Sequence, residues 1–384
     1  MRKKMVASLF VVLVLMVSMF TGCSKSNGDS TKDGKTGKAV KIGVINFDYS
    51  TLSGSTLKEY LEYLEKDSEL NVKFIFSTSQ ANDQEHLAAV DALITQGVDG
   101  ILSSLDSGQE AVVKACNDAE VYYANYNTAS IPDTFNKVKE SKYFIGQVAD
   151  GKVNASELGE IAAQVVIENG FKNVGVTSFP QKMILGQGKA DQAFRKKMKE
   201  LDPNGTVKIY DTHEHFFDGS GIDTYINTNA EMDALLGLGA GLQFDYPKIV
   251  SANKKGKVKL LAIGMQTDSA TTQEFKNGDI VMGTISNVEA IAAPLAIMLD
   301  ALNGNKYSDY TGALQLDGTT MVIKNSEDVD DLTKYTYYGE GQPLVTSEDL
   351  KNLMVTFNEK ATLSNLKAEL LKMDLKNAVE KNKK

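Results

Sequence analysis

Two amide side chains follow short apolar runs in the later part of the chain, and they are the first candidates for ligand chemistry. The run at residues 260–263 ends at Gly264 and is followed by Gln266, and the run at residues 281–285 is followed by Asn287. Continuous apolar runs of this length are typical of strands buried on both faces of a parallel sheet. Parallel α/β sheets bind ligands beyond the carboxyl ends of their strands. Gln266 and Asn287 are therefore predicted at a ligand-binding edge; the alternative is that both are ordinary polar loop residues.

The segment Thr-His-Glu-His at residues 212–215 has a spacing that could bind a metal ion. On a strand, His213 and His215 share one face and Glu214 points to the other. Zinc needs further ligands, and His86 lies far away in the first half of the chain. We therefore predict no metal site and no cofactor. The preferred interpretation is that His213 or His215 lines a cleft or belongs to a solvated loop.

Other patterns argue against an enzyme. The glycine-rich segment at residues 237–241 lacks the spacing of a dinucleotide-binding or phosphate-binding loop and is predicted to be a tight strand-to-helix turn. Cys116 lies in an apolar helical pattern and is predicted to be a small buried residue. Neither a G-x-S-x-G nor an H-E-x-x-H motif occurs in the sequence.

Strands and helices alternate along residues 40–302, and this alternation must position the candidate residues. Apolar runs predict a first set of strands at residues 40–45, 71–76, 100–102, 121–124 and 143–145. A second set is predicted at residues 174–176, 207–210, 234–239, 260–263 and 281–285. Segments with helical spacing separate the strands, which is typical of βαβ units in a parallel sheet. The predicted fold class is α/β, with two doubly wound parallel-sheet lobes, a further helix at residues 290–302, and one or two amphipathic helices within residues 348–381.

Composition limits the possible functions. A chain of 384 residues has room for about two domains. The formal net charge of −9 argues against nucleic-acid binding, which needs a basic surface. No helix-turn-helix is predicted before the first strand.

The N-terminus has the layout of a secretory signal. A basic stretch at residues 2–4 precedes an apolar run at residues 5–20, and the segment 20–23 resembles a bacterial lipobox with Phe20 in place of the usual Leu. The resemblance implies that residues 1–23 form a lipoprotein signal peptide and that Cys23 is acylated. Residues 24–39 have almost no large apolar residue and are predicted to be a flexible tether. The alternative for the apolar run is a membrane-spanning anchor.

Several segments, taken in order, resemble the type I periplasmic binding proteins of the ribose- and galactose-binding kind. They are Lys-Ile-Gly-Val at residues 41–44, Leu-Ile-Thr-Gln-Gly-Val-Asp-Gly-Ile at 93–101, Tyr-Phe-Ile-Gly at 143–146 with Glu-Leu-Gly at 157–159, and the stretch 262–287. The resemblance extends from residue 40 to about residue 304. It implies two lobes on a multi-strand hinge that close over a small polar ligand and deliver it to an ABC permease.

The resemblance also implies the domain boundaries. The chain is expected to cross between lobes near Gln147, near Asn287 and within residues 306–319. Residues 40–147 and 288–306 would form the N-terminal lobe, and residues 148–287 and 307–345 the C-terminal lobe. Residues 346–384 would be C-terminal helices.

Ligand contacts carry over from the resemblance only in part. The positions implied are Phe47, Thr51, Asn125, Gln147, Phe217, Gln266 and Asn287. Of these, Phe217 corresponds to an aromatic residue that stacks on a sugar face.

Departures from the family pattern affect the expected charge of the site. Thr51 stands where an Asp or Asn is usual, Gln266 where an Asp is usual, and Ala190 where an Arg is usual; the polar Asn expected near Gly239 is missing. The site is thus predicted to keep amides and aromatic rings and to lose its charges, which favours a neutral polar ligand, a sugar or a nucleoside. Lys182, Gln187 or Lys189 remain alternatives for entering the cleft.

The predicted function is therefore that of a solute-binding lipoprotein of an ABC importer. We expect a monomer that is extracytoplasmic, anchored through its lipid to the cell membrane, and not an enzyme. The low proline and high lysine content favours a Gram-positive source. The main alternative is a sensory receptor with the same fold that signals to a membrane kinase, and an enzyme is the third class considered.

Overall fold

Two largely parallel sheets with helices on both faces make up the fold. The computed structural model describes residues 38–79, 82–149, 154–182, 184–216, 218–263 and 269–383. The predicted signal peptide, its Cys23 and the predicted tether up to residue 37 lie outside the described residues. Phe217 and Gln266 also lie outside them.

The elements follow one another in the predicted alternation. The strands, in chain order, are β1 Val40–Asn46, β2 Val72–Thr78, β3 Gly100–Ser103, β4 Tyr122–Tyr126, β5 Phe144–Ala149, β6 Asn173–Ser178, β7 Lys208–Ile209, β8 His213–Glu214, β9 Ala234–Gly237, β10 Lys259–Ala262, β11 Ile280–Ser286, β12 Leu314–Asp317 and β13 Thr320–Ile323. The helices are α1 Leu52–Glu65, α2 Asp83–Thr95, α3 Gln109–Asp118, α4 Pro132–Val138, α5 Asn154–Glu168, α6 Leu185–Leu201, α7 Ile222–Thr228, α8 Gly241–Ser251, α9 Ser269–Lys276, α10 Ala292–Leu302, α11 Ser326–Tyr335, α12 Ser347–Leu353, α13 Leu363–Leu370 and α14 Leu375–Asn382. A short 3₁₀ helix, Val288–Ile291, precedes α10.

Each sheet has its first strand between two neighbours. The first sheet has the order β12-β5-β4-β3-β1-β2, and every neighbouring pair is parallel. The second has the order β13-β11-β10-β9-β6-β7, with β8 also paired to β6; only β13 is antiparallel to its neighbour. The strand order therefore reverses at β1 in the first lobe and at β6 in the second. This arrangement confirms the predicted fold class of two doubly wound lobes.

Helix α10 packs on the first sheet although it follows the last parallel strand of the second. Its residues from Ala292 to Asp300 are all buried. A side chain at Gly100 of β3 would place its Cβ 2.3 Å from the sulfur of Met298, so the glycine makes room for this helix. The chain thus returns to the first lobe between Ser286 and Ala292.

The strand β12 corrects one predicted boundary. Residues 307–345 were expected in the second lobe, but Leu314–Asp317 pairs in parallel with residues 146–149 of β5 in the first sheet. The physical reason is that β5 would otherwise be an open edge, whereas here Leu316 is buried against the first core. The chain crosses to the second lobe after β12, between Asp317 and Thr320.

The C-terminal residues form three helices instead of the one or two predicted. The side chains of Thr362 and Asp374 cap the starts of α13 and α14, which divides the amphipathic pattern. Helices α12 and α13 pack on the core of the first lobe, and α11 and α14 pack on the core of the second. In the part of the chain that the structure describes, no helix is both long and apolar enough to cross a membrane.

The start of α1 gives a test of backbone packing. A Cβ at Gly54 would lie 2.0 Å from the carbonyl oxygen of Asp48, so Gly54→Ala must displace backbone. We expect this variant to lose about 1–3 kcal/mol in the free energy of unfolding, measured by urea denaturation.

The matched control is Gly186→Ala, because Gly186 also lies in the first turn of a helix and a Cβ there would have no heavy atom within 4 Å. This control should be neutral or slightly stabilising, since alanine restricts the unfolded chain. Equal stabilities for the two variants would contradict the packing described at Gly54.

Candidate functional site

A cavity of about 240 Å³ lies at the carboxyl ends of β1, β3 and β4. Its lining includes Asn46, Phe47, Asp48, Thr51, Ser53, Gly54, Leu57, Ser104, Leu105, Tyr126, Asn127, Ser286 and Val288. The strand order reverses between β1 and β3, which is where doubly wound sheets bind ligands. Ser286 and Val288 come from the crossing between the lobes, so the cavity touches the hinge. This is the candidate site in the first lobe.

Phe47 and Thr51, both predicted from the sequence, lie in this cavity. The Phe47 side chain is 41% exposed and lines the cavity. The Thr51 hydroxyl accepts a hydrogen bond from the Gly54 N–H at 3.1 Å and lies 3.2 Å from the Asp48 carbonyl oxygen. Thr51 therefore begins helix α1 and lines the cavity wall at the same time.

Asn125 lies beneath the cavity and does not line it. Its side chain is fully buried; Oδ1 accepts a hydrogen bond from Gln109 Nε2 at 2.8 Å, and Nδ2 donates to the Leu105 carbonyl at 2.6 Å. These bonds hold the loop between β3 and α3, and Leu105 in that loop does line the cavity. In this conformation Asn125 supports the site and has no free surface for a ligand.

Gln147 and Asn287 are also buried. Gln147 Oε1 accepts hydrogen bonds from the backbone and hydroxyl of Ser130, both at 3.1 Å, and its Nε2 has no partner among the described residues. Asn287 Oδ1 accepts from the Glu289 N–H at 2.8 Å, and its Nδ2 donates to the Met373 carbonyl at 3.2 Å. Asn287 thus fixes the crossing, while Gln147 keeps one donor available.

The sequence analysis missed a carboxylate in the cavity wall. Asp48 directly follows Phe47, and its Oδ1 accepts a hydrogen bond from the Ser50 N–H at 2.7 Å. Hydrogen bonding from Ser50 lowers the pKa of this carboxyl, so Asp48 is ionised at neutral pH. The first lobe therefore has one negative charge at the site, which disfavours anionic ligands.

Three rings lie together at the corresponding edge of the second lobe. The ring of His215 lies 5.2 Å from that of Phe179 and 5.7 Å from that of Phe244. Its Nδ1 is 2.8 Å from the Phe216 carbonyl, which can only accept, so Nδ1 carries the proton. Burial lowers the pKa of His215, so the imidazole is neutral at pH 7 and its Nε2 is an acceptor.

Two buried polar atoms at this edge lack a partner among the described residues, namely Nε2 of His215 and the hydroxyl of Ser178. Ser178 is the last residue of β6, and its carbonyl accepts the His215 N–H at 2.9 Å. Buried polar atoms without partners are rare, and each calls for an explanation such as a ligand or an ordered water. The spacing of residues 212–215 points to His215, whereas no sequence pattern points to Ser178.

His213 has a different environment. Its ring stacks on Tyr225 at 5.3 Å, and its Nε2 lies 3.1 Å from the Ser220 carbonyl. No group of three side chains that could hold a metal ion occurs within the described ranges of the chain. His213 therefore contacts Tyr225 of α7 and the Ser220 backbone just before that helix.

Of the predicted alternatives Lys182, Gln187 and Lys189, Gln187 has a structural role, and both lysines are exposed. Gln187 Oε1 accepts the Phe179 N–H at 2.8 Å and so shapes the end of β6. Ala190 is buried against α5, where a Cβ at Gly159 would come within 2.1 Å of its carbonyl oxygen. The Ala190 position, where the family usually has an Arg, is thus a helix-packing position in this chain.

A buried carboxyl group explains the glycine-rich turn. Strand β9 ends at Gly237 and α8 begins at Gly241, as predicted, and Asp245 of α8 is fully buried beneath the turn. A Cβ at Gly237 would lie 2.3 Å from Asp245 Oδ2. Burial raises the pKa of Asp245 to about 7, although the nearby Thr177 hydroxyl favours the ionised form.

Asp245 gives a prediction about stability and pH. Because its folded pKa is about 7 and the unfolded value is about 3.9, the unfolded chain loses the proton first as the pH rises. The free energy of unfolding should therefore fall between about pH 4 and pH 7, and the full penalty remains above pH 7. Asp245→Asn should be more stable than the parent protein at pH 8, and this difference should shrink at pH 5, as measured by urea denaturation.

Asp330→Asn is the control, because Asp330 is an exposed carboxylate on α11. A change between the two pH values that the control also shows would not come from the burial of Asp245. An Asp245→Asn variant with the parent pH dependence would show that Asp245 does not titrate in this range.

Comparison with known proteins shows the fold. No protein-family model matches the sequence, and no curated protein matches it. A glucose-galactose binding protein from Geobacillus stearothermophilus superposes with a TM-score of 0.58 at 15% identity, covering 75% of this chain and 98% of the other.

Two further solved structures give the same result. An ABC transporter periplasmic solute-binding protein from Actinobacillus succinogenes with bound D-allose has a TM-score of 0.61 at 13% identity, covering 76% of this chain and 99% of the other. An ABC transporter solute-binding protein from Bacillus halodurans with bound myo-inositol has a TM-score of 0.56 at 17% identity, covering 78% and 98%. The chain has the fold of the type I periplasmic binding proteins.

Proposed function

We propose that this protein is a solute-binding protein of an ABC importer that closes its two lobes over a small neutral sugar or sugar-like molecule. The observation that carries the proposal is the position of the cavity, which lies at the switch point of the first sheet and is lined by residues of the lobe crossing. The similar structures from Actinobacillus and Bacillus hold D-allose and myo-inositol, both uncharged polyhydroxylated rings.

The two lobes offer complementary groups to such a ring. The first lobe presents the exposed ring of Phe47, which suits the apolar face of a sugar, and the carboxylate of Asp48, which accepts hydrogen bonds from hydroxyls. The second lobe holds His215, whose neutral Nε2 needs a donor such as a hydroxyl. Ring stacking and hydrogen bonds are binding interactions, and in this proposal the protein binds its ligand without transforming it.

Closure of the lobes would couple binding to transport. Because Ser286 and Val288 line the cavity and also belong to a crossing, a ligand in the cavity contacts the hinge. The closed form would then be recognised by a membrane permease. Acylation of Cys23 and a location outside the cell membrane are part of the same proposal and rest on the sequence pattern at residues 2–23. A monomeric state is also part of the proposal.

A thermal-shift screen tests the proposal. The full chain with Cys23→Ser is mixed with D-galactose, D-ribose, D-allose, myo-inositol, adenosine, glucose 6-phosphate or zinc chloride. A ligand at about 100 times its dissociation constant adds about 2.7 kcal/mol to the folded state, which raises the melting temperature measurably. We expect one of the neutral sugars to produce this shift and the sugar phosphate to produce none.

A shift with adenosine alone would change the ligand class to a nucleoside. Tight binding of glucose 6-phosphate or of zinc would contradict the neutral sugar site.

Phe47→Ala tests the contact in the first lobe. Loss of an aromatic ring from the ligand face should weaken binding of the sugar found in the screen by roughly tenfold, measured by isothermal titration calorimetry. Phe357→Ala is the matched control, since Phe357 is 42% exposed, close to the 41% of Phe47, but does not line the cavity. Equal affinities for the two variants would exclude Phe47 from the ligand contact.

A further inference from the structure

In addition to the crossings that join the two sheets, the C-terminal segment passes from one lobe to the other twice. Helix α11 packs on the second lobe, α12 and α13 pack on the first, and α14 returns to the second. We name residues 336–383, which follow α11, the C-terminal brace. The lobes are thus joined by the three sheet crossings, after β5, β11 and β12, and by two passages of the brace.

The first passage, residues 336–346, contacts the crossing at β11. The Tyr338 hydroxyl donates a hydrogen bond to the Ser286 carbonyl at 2.6 Å, and the Val345 N–H donates to Glu289 Oε2 at 2.7 Å. The side chains of Tyr338 and Leu344 pack against the hydrophobic cores of both lobes. This passage therefore lies across the hinge in direct contact with it.

The middle of the brace is fixed to the first lobe. The carboxylate of Asp300 on α10 accepts hydrogen bonds from the backbone N–H groups of Val355 at 2.7 Å and Thr356 at 2.8 Å. The Tyr307 hydroxyl donates to the Leu353 carbonyl at 2.7 Å. The brace thus has a firm anchor on one side of the hinge.

The second passage contacts two crossings. The Thr319 hydroxyl, between β12 and β13, donates to the Leu370 carbonyl at 2.9 Å, and Asn287 Nδ2 donates to the Met373 carbonyl at 3.2 Å. Beyond this point α14 packs on the second lobe, and Asn382 Nδ2 donates to the Tyr335 carbonyl at 2.8 Å. Both described crossings between the sheets are therefore bonded to the brace.

We propose that the C-terminal brace limits the range of motion between the two lobes. Rotation about the hinge changes the backbone dihedral angles of the crossings. Such a change must either break the hydrogen bonds of Ser286, Asn287 and Thr319 with the brace or move the brace together with the crossings. The brace also has to keep its packing on both lobes, so large rotations are resisted. The proposal rests on the lobe motion of the proposed function but does not depend on which ligand binds.

The test compares two tyrosine-to-phenylalanine variants of the brace contacts. The first variant is the double substitution Tyr338→Phe/Thr319→Val. Tyr338→Phe removes the hydrogen bond from the brace to the Ser286 carbonyl, and Thr319→Val removes the hydrogen bond from the crossing after β12 to the Leu370 carbonyl. Tyr307→Phe removes a bond of the same kind that joins the brace to the first lobe only. All three substitutions conserve size, and the melting temperature of each variant verifies that it is folded.

The distance between lobes is measured by pulsed electron spin resonance without ligand. Spin labels are placed at Lys114→Cys on α3 and Lys199→Cys on α6, both exposed, in the full chain with Cys23→Ser; the remaining Cys116 is buried. We expect a broader and shifted distance distribution in Tyr338→Phe/Thr319→Val, and the parent distribution in Tyr307→Phe. Backbone amides of residues 286–289 should also exchange hydrogen about 2- to 10-fold faster in the first variant only.

Identical distance distributions in all the proteins would overturn the proposal, and so would equal broadening in both variants, because it would show a general loosening of the brace. If no ligand in the screen binds but the expected broadening is observed, the proposed function is wrong and the proposal about the brace still holds.

Discussion

The short connection from Ser286 to Glu289 is the place where both lobes, the candidate cavity and the C-terminal segment meet. Asn287 is 1% exposed and caps the 3₁₀ helix that leads into α10, and the Glu289 carboxyl lies buried beside it with the Val345 N–H as a donor. Burial raises the pKa of Glu289 to about 8, so this carboxyl is largely protonated at neutral pH. A neutral buried carboxyl avoids the cost of an enclosed charge at the hinge. This connection leads into α10, and its residues Ser286 and Val288 line the cavity. It is also the part of the hinge to which the brace is hydrogen-bonded.

Five parallel strands follow the same order in the two sheets, β2-β1-β3-β4-β5 and β7-β6-β9-β10-β11, but the residues at their carboxyl ends differ. At the end of β1, the chain leaves an open cavity with an exposed aromatic ring and an ionised carboxylate. At the end of β6, the rings of Phe179, His215 and Phe244 contact one another, and the buried polar atoms Ser178 Oγ and His215 Nε2 have no partner among the residues that the structure describes. The first edge is open to a ligand, whereas the second holds an acceptor that a ligand or water must satisfy. In the proposed function, the first lobe therefore supplies ring stacking and a carboxylate acceptor, and the second lobe supplies the imidazole acceptor of His215.

Three glycines allow neighbouring segments of the chain to pack closely against each other. Gly54 lets α1 begin against the Asp48 backbone, Gly100 admits α10, and Gly237 makes room for Asp245. A Cβ at any of these glycines would come within 2.3 Å of a neighbouring atom, so that neighbour would have to shift. The cavity wall, the returning helix and the second-lobe turn therefore depend on positions where a single methyl group would not fit.

The sequence by itself determined the alternation of strands and helices, the two-lobe fold class and the turn at residues 237–241, because these depend on local apolar spacing and turn residues. It also pointed to Phe47 and Thr51 in the loop after β1, and both line the cavity, while their contact with a ligand stays a prediction. Only the tertiary structure decided the environment of Asn287, whose amide bonds Met373, 86 positions further along the chain. The same holds for β12, which pairs with β5 across more than 160 residues, and for the brace. Local patterns report which face of an element is apolar, whereas a hydrogen bond between distant segments depends on side-chain directions that are set only when the lobes have packed.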